Sequence, residues 1–334
     1  MSLGTNFYFR IISMKKFLVI PFYLLCHSLF AQPISVFMRD KPDEDFSYRP
    51  EWIKNNKVGI DVSEVTFVNW NSGGSNSISA LANAESNLNY KDKYFSWKNR
   101  LVIRYGINKQ QEQELRKTED LFEINSNLGY RPDGLSNWFY SARLNFKTQF
   151  TNGFQYPDTS KPISGLMAPG YLFFGGGMEY GKRIDELSFY FSPLTVKTTF
   201  VLDKDLANAG AFGVTPAVLD VDGNVIIPGK RVHKEVGILI TNSYEMAVVE
   251  NISLRNLISL YSDYINSFGN IDVDWQINFD FKVNHFVKAT FGSHIIYDDD
   301  VKTKKPTDVE GEFETAGAKV QWKQFLAIGF VHTF

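Results

Sequence analysis

The segment "NIDVDWQINFDFKVN", residues 270–284, alternates polar and apolar side chains along its whole length. Asp272, Asp274 and Asp280 share the even positions with other polar residues, whereas the odd positions, Trp275 among them, are all apolar. A period of two over this length predicts one long strand with two unlike faces. The apolar face either packs inside a soluble sheet or faces lipid around a membrane barrel.

The same alternation recurs between residue 57 and the C-terminus. It predicts twelve strands, at 57–70, 76–90, 95–108, 118–131, 137–151, 170–183, 187–202, 234–249, 251–265, 270–284, 286–299 and 318–334. Such strands are longer than the five or six residues typical of globular sheets. Tight turns alternate with long connections, which is the arrangement of outer-membrane barrels.

Aromatic residues decide between the soluble sandwich and the membrane barrel. Tryptophans with the parity of the apolar face fall near both ends of the predicted strands: Trp97 and Trp138 near the short turns, and Trp70, Trp275 and Trp322 near the long loops. Membrane interfaces favour such rings. We therefore predict an all-β fold, a transmembrane antiparallel up-and-down β-barrel of about 12 strands spanning residues 57–334.

The last predicted strand ends in "FLAIGFVHTF", with Phe334 at the C-terminus. Its alternate apolar residues share one face. A terminal aromatic strand of this kind is similar to the signal by which the outer-membrane assembly machinery recognises its substrates, so we expect Phe334 to be an assembly signal.

The N-terminal segment has the features of a secretory signal peptide. Two lysines follow Met14, an apolar run ends near Leu25, and small or modest residues end at Ala31. We expect translation to start at Met14 and cleavage to follow Ala31, so that residues 1–31 are an upstream extension plus a signal peptide. Cys26, the single cysteine, follows the large Leu25, which argues against lipidation. Residues 32–56 are rich in proline and charge and predict an irregular periplasmic leader.

Several segments carry a resemblance to a known family. "LSNWFYSARLNFKTQFTNGFQYP" (135–157), "NAGAFGV" (208–214), "GNIDVDWQINFDFKVN" (269–284) and "IIYDDDVK" (295–302) resemble an uncharacterised outer-membrane β-barrel family of the Bacteroidota, catalogued as a domain of unknown function. The likeness covers nearly all of residues 57–334. It implies a barrel in the outer membrane and brings no activity and no catalytic residues.

The polar faces of the predicted strands carry charges of both signs, which we expect to line the lumen. The lumen-lining candidates are Lys98, Arg100, Arg104, Glu123, Arg143, Lys147, Asp272, Asp274, Asp280, His294 and Asp298. Acids and bases on neighbouring strands either form an ion-pair plug or polarise the wall of a channel. The strand at 270–284 carries acids with no basic neighbour assigned, which favours solvent in the lumen.

Three motifs suggest chemistry, but none is well supported. Ser293 and His294 are adjacent on one strand and so point to opposite faces, which excludes a nucleophile and base pair. "LDVDGNV" at 219–225 lacks the spacing of a calcium loop and is better explained as a hairpin turn in the longest loop. The acidic run 298–300 could bind a divalent cation, but the lysines that follow favour a solvated loop. We therefore predict no catalytic, cofactor or metal residues.

The predicted function is that of a non-enzymatic outer-membrane barrel, in the form of a narrow channel for small polar solutes. Two alternatives remain: a plugged barrel that binds a partner through its outer loops, and a lipid-modifying barrel enzyme. The expected partners are outer-membrane lipid and lipopolysaccharide, the barrel-assembly machinery and periplasmic chaperones. Nucleic acid is not expected, because 35 basic residues are balanced by 37 acidic ones. The expected location is the outer membrane of a Gram-negative bacterium.

Overall fold

A computed structural model describes residues 50–66, 76–133, 136–182, 187–266, 268–306 and 313–334. The predicted signal peptide, most of the predicted leader and Trp70 lie outside these ranges. Within them, no helix has the length and the apolar character that a membrane span requires.

Twelve antiparallel strands form a closed barrel. In chain order they are β1 (Glu51–Val65), β2 (Ser77–Lys91), β3 (Phe95–Gln110), β4 (Arg116–Tyr130), β5 (Trp138–Thr148), β8 (Gly170–Lys182), β9 (Leu187–Phe200), β12 (Val232–Val249), β13 (Ile252–Asp263), β14 (Asp272–Lys282), β15 (Val287–Tyr297) and β18 (Gln321–Thr333). Each strand pairs with the next one in this list, and β18 pairs with β1. The predicted antiparallel barrel of twelve strands is confirmed. Each of these strands corresponds to one of the alternating segments of the sequence.

The long connections carry small elements of their own. These are the hairpins β6 (Gly153–Gln155) with β7 (Asp158–Ser164), β10 (Val218–Leu219) with β11 (Val225–Ile227), and β16 (Lys302–Pro306) with β17 (Phe313–Ala318), together with helix α1 (Lys204–Asn208) and a 3-10 turn (Ala211–Gly213). Asp203 caps α1 by accepting hydrogen bonds from the backbone of Asp205 and Leu206.

The β10–β11 hairpin confirms the turn predicted at 219–225. The Asp220 carboxylate accepts hydrogen bonds from the side chain and the backbone N–H of Asn224, at 3.1 and 2.7 Å. The Asn224 side chain is the main cause that lowers the pKa of Asp220 below its usual value. Gly223 takes a positive φ of 83°, which suits glycine at this position of the turn.

The first strand begins earlier than the sequence predicts. Residues 51–56, assigned to the irregular leader, belong to β1 and pair with the end of β2 from Glu51 opposite Lys91 onward. The prediction is therefore wrong for these residues. Lys54 and Asn56 interrupt the apolar face between Trp52 and the rest of the strand, so the alternation is not visible in the sequence here. Pairing with β2 along this whole stretch keeps the backbone extended.

Contacts between distant strands show which face lies inside. The Lys147 ammonium on β5 lies 3.1 Å from the Asp274 carboxylate on β14. Four strands separate β5 from β14 on one side of the barrel and six on the other. A direct contact must therefore cross the interior, so the polar faces point inward. The apolar faces point outward, and Ile60, Leu326 and Phe330 are 55%, 70% and 67% exposed.

The two ends of the barrel differ. At one end, tight turns join β2 to β3, β12 to β13 and β14 to β15, and here β1 begins and β18 ends. We call this the short-turn end. At the opposite, long-loop end, residues 201–231 connect β9 to β12 and residues 298–320 connect β15 to β18. Backbone hydrogen bonds of 3.1 and 3.0 Å join Asn56 to Phe334 at the short-turn end, where the Phe334 ring remains exposed.

Outward-facing tryptophans lie near both ends. Trp97 and Trp138 lie on the short-turn side, and Trp275 and Trp322 on the long-loop side. Three of these indoles donate a hydrogen bond to a polar side chain on the same outer face of the neighbouring strand: Trp97 to Ser126 at 3.0 Å, Trp275 to Asn256 at 2.8 Å and Trp322 to Ser293 at 3.0 Å. The outer face thus pairs these polar groups with one another instead of leaving them unsatisfied.

Candidate functional site

Ion pairs cross the lumen in the half nearer the long loops. The Asp274 carboxylate accepts from Lys147 at 3.1 Å through one oxygen and contacts His294 Nε2 at 2.8 Å through the other. The structure therefore brings together three of the residues that the sequence placed in the lumen. The three side chains are 26 to 31% exposed, so water reaches this bridge.

A second ion pair also spans the interior. Lys323 on β18 contacts Glu119 on β4, and three strands, β1 to β3, separate the two along the shorter way round. Neither residue was in the predicted set. Both side chains nevertheless point inward, because residues that pair across neighbouring strands lie on the same face of the sheet. Glu119 pairs with Gly106 and Lys323 pairs with His294, and both of these partners face inward.

A tighter group of charges lies at the long-loop end of the lumen; we call it the mouth cluster, defined as Lys197, Glu235, Asp272, Asp298, Asp300 and His233. The Lys197 ammonium lies 2.8 Å from Asp272, 3.2 Å from Glu235 and 3.4 Å from Asp298. The Lys197 side chain is only 4% exposed, so its charge depends on these carboxylates. Asp272 and Asp298 were predicted lumen residues.

Lys197 was missed by sequence reasoning for a specific reason, whereas Glu235 was missed although it keeps the regular inward parity of β12. The register between β8 and β9 shifts around Ser192, so that residues 188 and 190 face inward before the shift and Lys197 faces inward after it. A bulge of this kind reverses the parity of the strand. Pro193, in the middle of the predicted strand, was the available signal.

Two further members complete the mouth cluster. His233 Nε2 lies 3.9 Å from a Glu235 carboxylate oxygen, and one donor atom from each of His233, Glu235 and Asp300 lies within 4.8 Å of the others. Asp300 belongs to the loop after β15. Burial raises the pKa of the Asp300 carboxyl; Lys197 opposes this increase, while Asp298 reinforces it. Among the described residues, these three side chains are the group able to hold a metal ion.

In the half nearer the short turns, Glu179 organises the polar contacts. The Glu179 side chain is 4% exposed and lies 3.1 Å from the Arg143 guanidinium. It also accepts hydrogen bonds from Asn127, Ser141 and Ser188. Arg143, a predicted lumen residue, additionally lies over the Tyr190 ring at 4.0 Å. Glu179 was missed, although its position between Met178 and Tyr180 gives it the inward parity.

The remaining predicted lumen residues make local contacts. Arg100 pairs with Glu85 at 3.0 Å on the neighbouring strand, and Glu123 accepts from Asn125 and Asn145. Lys98 and Arg104 are on the same face of β3 as Arg100, since residues of a strand two apart share a face.

The expectation that the acids of β14 lack basic partners is wrong. Asp280 receives two hydrogen bonds from Arg255 on β13, at 2.6 and 2.9 Å, and one from Thr290 at 2.7 Å. Asp272 and Asp274 are paired with lysines from β9 and β5, as described above. The sequence could not supply the two lysines, because barrel closure alone brings β5 and β9 close to β14; Arg255, on the neighbouring strand β13, was missed.

Ser293 and His294 lie on opposite faces of β15, as the parity argument requires. The Ser293 hydroxyl accepts from the outward Trp322, whereas His294 contacts the inward Asp274. These two residues therefore do not form a nucleophile and base pair.

Comparisons with solved structures find membrane proteins of low sequence identity. An outer-membrane channel from Pseudomonas putida F1 is 9% identical, with a TM-score of 0.40 over 88% of this chain and 100% of that one. The NanC porin is 8% identical, with a TM-score of 0.34 over 83% of this chain and 98% of that one. The translocator domain of the autotransporter NalP from Neisseria meningitidis is 8% identical, with a TM-score of 0.27 over 93% and 97%.

Comparison with curated protein sequences gives no match. A family model does match part of the barrel, from the last residues of β1 to the hairpin strand β6. The expected likeness to an uncharacterised family is confirmed over this stretch, while the assignment to the Bacteroidota stays a prediction. Residues 62–154 of this chain match the family described as "Protein of unknown function (DUF3078)".

Proposed function

We propose that this chain is a non-enzymatic outer-membrane β-barrel whose lumen is a narrow passage for small polar solutes, constricted by ion pairs that cross it. The observation that carries the proposal is the bridge from Lys147 to Asp274 and His294 through the interior of the barrel.

The outward surface supports a membrane location. Large apolar side chains cover the outer faces of the strands, and Ile60, Leu326 and Phe330 are more than half exposed. A soluble monomer rarely exposes a continuous apolar surface of this kind. Outward tryptophans near both ends suit the two interfaces of a bilayer. Outer-membrane lipid and lipopolysaccharide are the partners of this surface in our proposal.

Export and assembly form a second part of the proposal. Residues 14–31 act as a cleaved signal peptide that directs the chain out of the cytoplasm of a Gram-negative bacterium. Periplasmic chaperones and the barrel-assembly machinery then receive it, with the exposed ring of Phe334 at the end of β18 as the recognition signal.

The polar lumen favours a passage for solutes rather than a plug that excludes water. Barrels of eight strands are filled by side chains and those of sixteen or more are open, so twelve strands lie between these cases. The bridging side chains are up to 31% exposed, so that solvent reaches them inside the lumen. Water around the pair raises the effective dielectric constant and weakens the attraction between the two charges. The bridge can therefore open to admit a solute more readily than a fully buried pair could.

Single-channel conductance of the refolded protein in a planar bilayer tests the proposal. We expect a small conductance for the wild type and at least a twofold increase for Lys147→Met, because the substitution removes the cross-lumen bridge. Arg100→Met is the matched control, since it also removes a lumen cation but from a pair between neighbouring strands. Conductance at the lipid background in all three proteins would contradict the passage.

A closed barrel that acts through its outer loops is the second candidate. Val201, Ala207 and Val214 of the loop between β9 and β12 form a small core with Ala168, which belongs to the loop between β5 and β8. The loop between β9 and β12 also approaches the loop after β15, because a Cβ added to Gly213 would lie 3.0 Å from the Asp300 Cβ. Loops with this much packing suit a partner-binding surface. Background conductance in every variant favours this candidate, whereas turnover of labelled phospholipid would favour the lipid-modifying alternative.

A further inference from the structure

We propose that His233, Glu235 and Asp300 form a binding site for one divalent first-row transition metal ion, of the Zn²⁺ class, at the long-loop end of the lumen. This proposal concerns metal binding and does not depend on whether the lumen conducts solutes.

The three side chains converge from two separate parts of the chain. His233 and Glu235 are two residues apart on β12, so both point to the inner face. Asp300 comes from the loop that follows β15. The donor atoms of the three lie within 4.8 Å of one another, and small side-chain rotations bring them to bonds of about 2.0–2.2 Å around one ion. Imidazole with two carboxylates is a ligand set that zinc accepts.

The charges around the site add up to an excess of negative charge, which favours the binding of a cation. The mouth cluster contains the carboxylates of Glu235, Asp272, Asp298 and Asp300, but Lys197 is the single ammonium among its members. Lys197 lies closest to Asp272, at 2.8 Å. It can keep that pair while Glu235 turns to the metal. A divalent ion would then offset most of the excess negative charge, which burial makes costly.

A buried hydroxyl beside the mouth cluster, on a ring 5.4 Å from the Lys197 ammonium, is an independent indication of a ligand. Tyr261 is 4% exposed, and its hydroxyl has no hydrogen-bond partner among the described residues. The Tyr261 Cζ atom, which carries this hydroxyl, lies 2.9 Å from the position of a Cβ on Gly237, two residues after Glu235 on the same inner face. A buried hydroxyl without a partner is costly. A water molecule bound to the metal would satisfy it.

Hydrogen bonds in the loop after β15 fix the position of Asp300 and direct the carboxylate of Asp299 away from the site. The Asp300 backbone N–H donates to Asp298 at 2.9 Å, and the Asp299 backbone N–H donates to Asp272 at 3.1 Å. Asp299 directs its own carboxylate elsewhere, because it accepts from Asn270 at 2.7 Å. The sequence favoured a solvated loop at 298–300, but it could not show that one of the three aspartates meets a histidine and a glutamate from β12.

Isothermal titration of the refolded full chain in detergent with ZnCl₂ tests the proposal. We expect one Zn²⁺ per chain, and at least tenfold weaker binding in His233→Asn and in Asp300→Asn. Asp299→Asn is the matched control: it removes the same charge one residue away and should keep wild-type affinity. Resistance of each folded variant to unfolding by SDS at room temperature verifies that the barrel has formed.

Three results would overturn the proposal. The first is no saturable binding by the wild type up to 1 mM Zn²⁺, a limit on the order of that of the weakest metal sites. The second is an equal loss in Asp299→Asn and Asp300→Asn, which would mean diffuse attraction by the acidic loop. The third is Ca²⁺ binding as tight as that of Zn²⁺ and unchanged in His233→Asn, since imidazole favours Zn²⁺.

Discussion

Replacing Glu179 by alanine is expected to destabilise the barrel by about 3 kcal/mol, because it leaves a buried cation without its partner. Glu179 is 4% exposed and lies 3.1 Å from Arg143, whose side chain is 23% exposed. Removing one member of a buried pair costs about 3–5 kcal/mol, and the partial exposure of Arg143 places the expectation at the lower end. This corresponds to roughly a hundredfold increase in the unfolding equilibrium constant.

Urea titration of the protein refolded in detergent micelles, followed by tryptophan fluorescence, measures this change. Glu179→Gln serves as a graded control, because the amide oxygen can still accept hydrogen bonds from Asn127 and Ser141, which donate to the same oxygen of Glu179, while the charge is lost. We expect it to lie between the wild type and the alanine variant in free energy of unfolding. The double variant with Arg143→Met should be more stable than Glu179→Ala alone, since no unpaired guanidinium remains.

The reasoning fails if Glu179→Ala costs less than about 1 kcal/mol, the range of an exposed ion pair. It also fails if Arg143→Met adds its full cost on top of Glu179→Ala. Additive effects would mean that the two side chains do not interact in the folded barrel.

Three further predictions concern the outer face and the longest loop. Ile277→Arg should cost about 2–4 kcal/mol in lipid through exposure of a charge to hydrocarbon, whereas Gln276→Arg on the inner face should be tolerated; equal costs in a refolding titration would mean that the faces are assigned wrongly. Trp275→Phe should cost about 1–3 kcal/mol by leaving the Asn256 amide oxygen unsatisfied, and Asn256→Leu should remove this penalty in the double variant; a penalty that persists there would contradict the hydrogen bond. Because folding lowers the pKa of Asp220, the turn that it stabilises should persist above that lowered pKa and be lost as the pH falls through it; backbone amide exchange in Asp220→Asn should show no such pH dependence.

The sequence by itself determined the barrel and its two faces. Alternation is a local property, since each residue of a strand faces opposite to its neighbours whatever the strand pairs with. This is why all twelve strands could be predicted. The Asp-Gly turn of the β10–β11 hairpin was predicted for the same reason, because its geometry depends on a few adjacent residues.

The tertiary structure alone decided how the charges meet. Lys147 and Asp274 are far apart in sequence and lie on strands that never pair, so their contact depends on closure of the barrel. A bulge near Pro193 reverses the parity of β9 and places Lys197 inside, which hid the central cation of the mouth cluster from a pattern with a strict period of two. Asp300 meets His233 and Glu235 because a loop folds toward the lumen, and contacts of that kind are set by packing over long sequence separations.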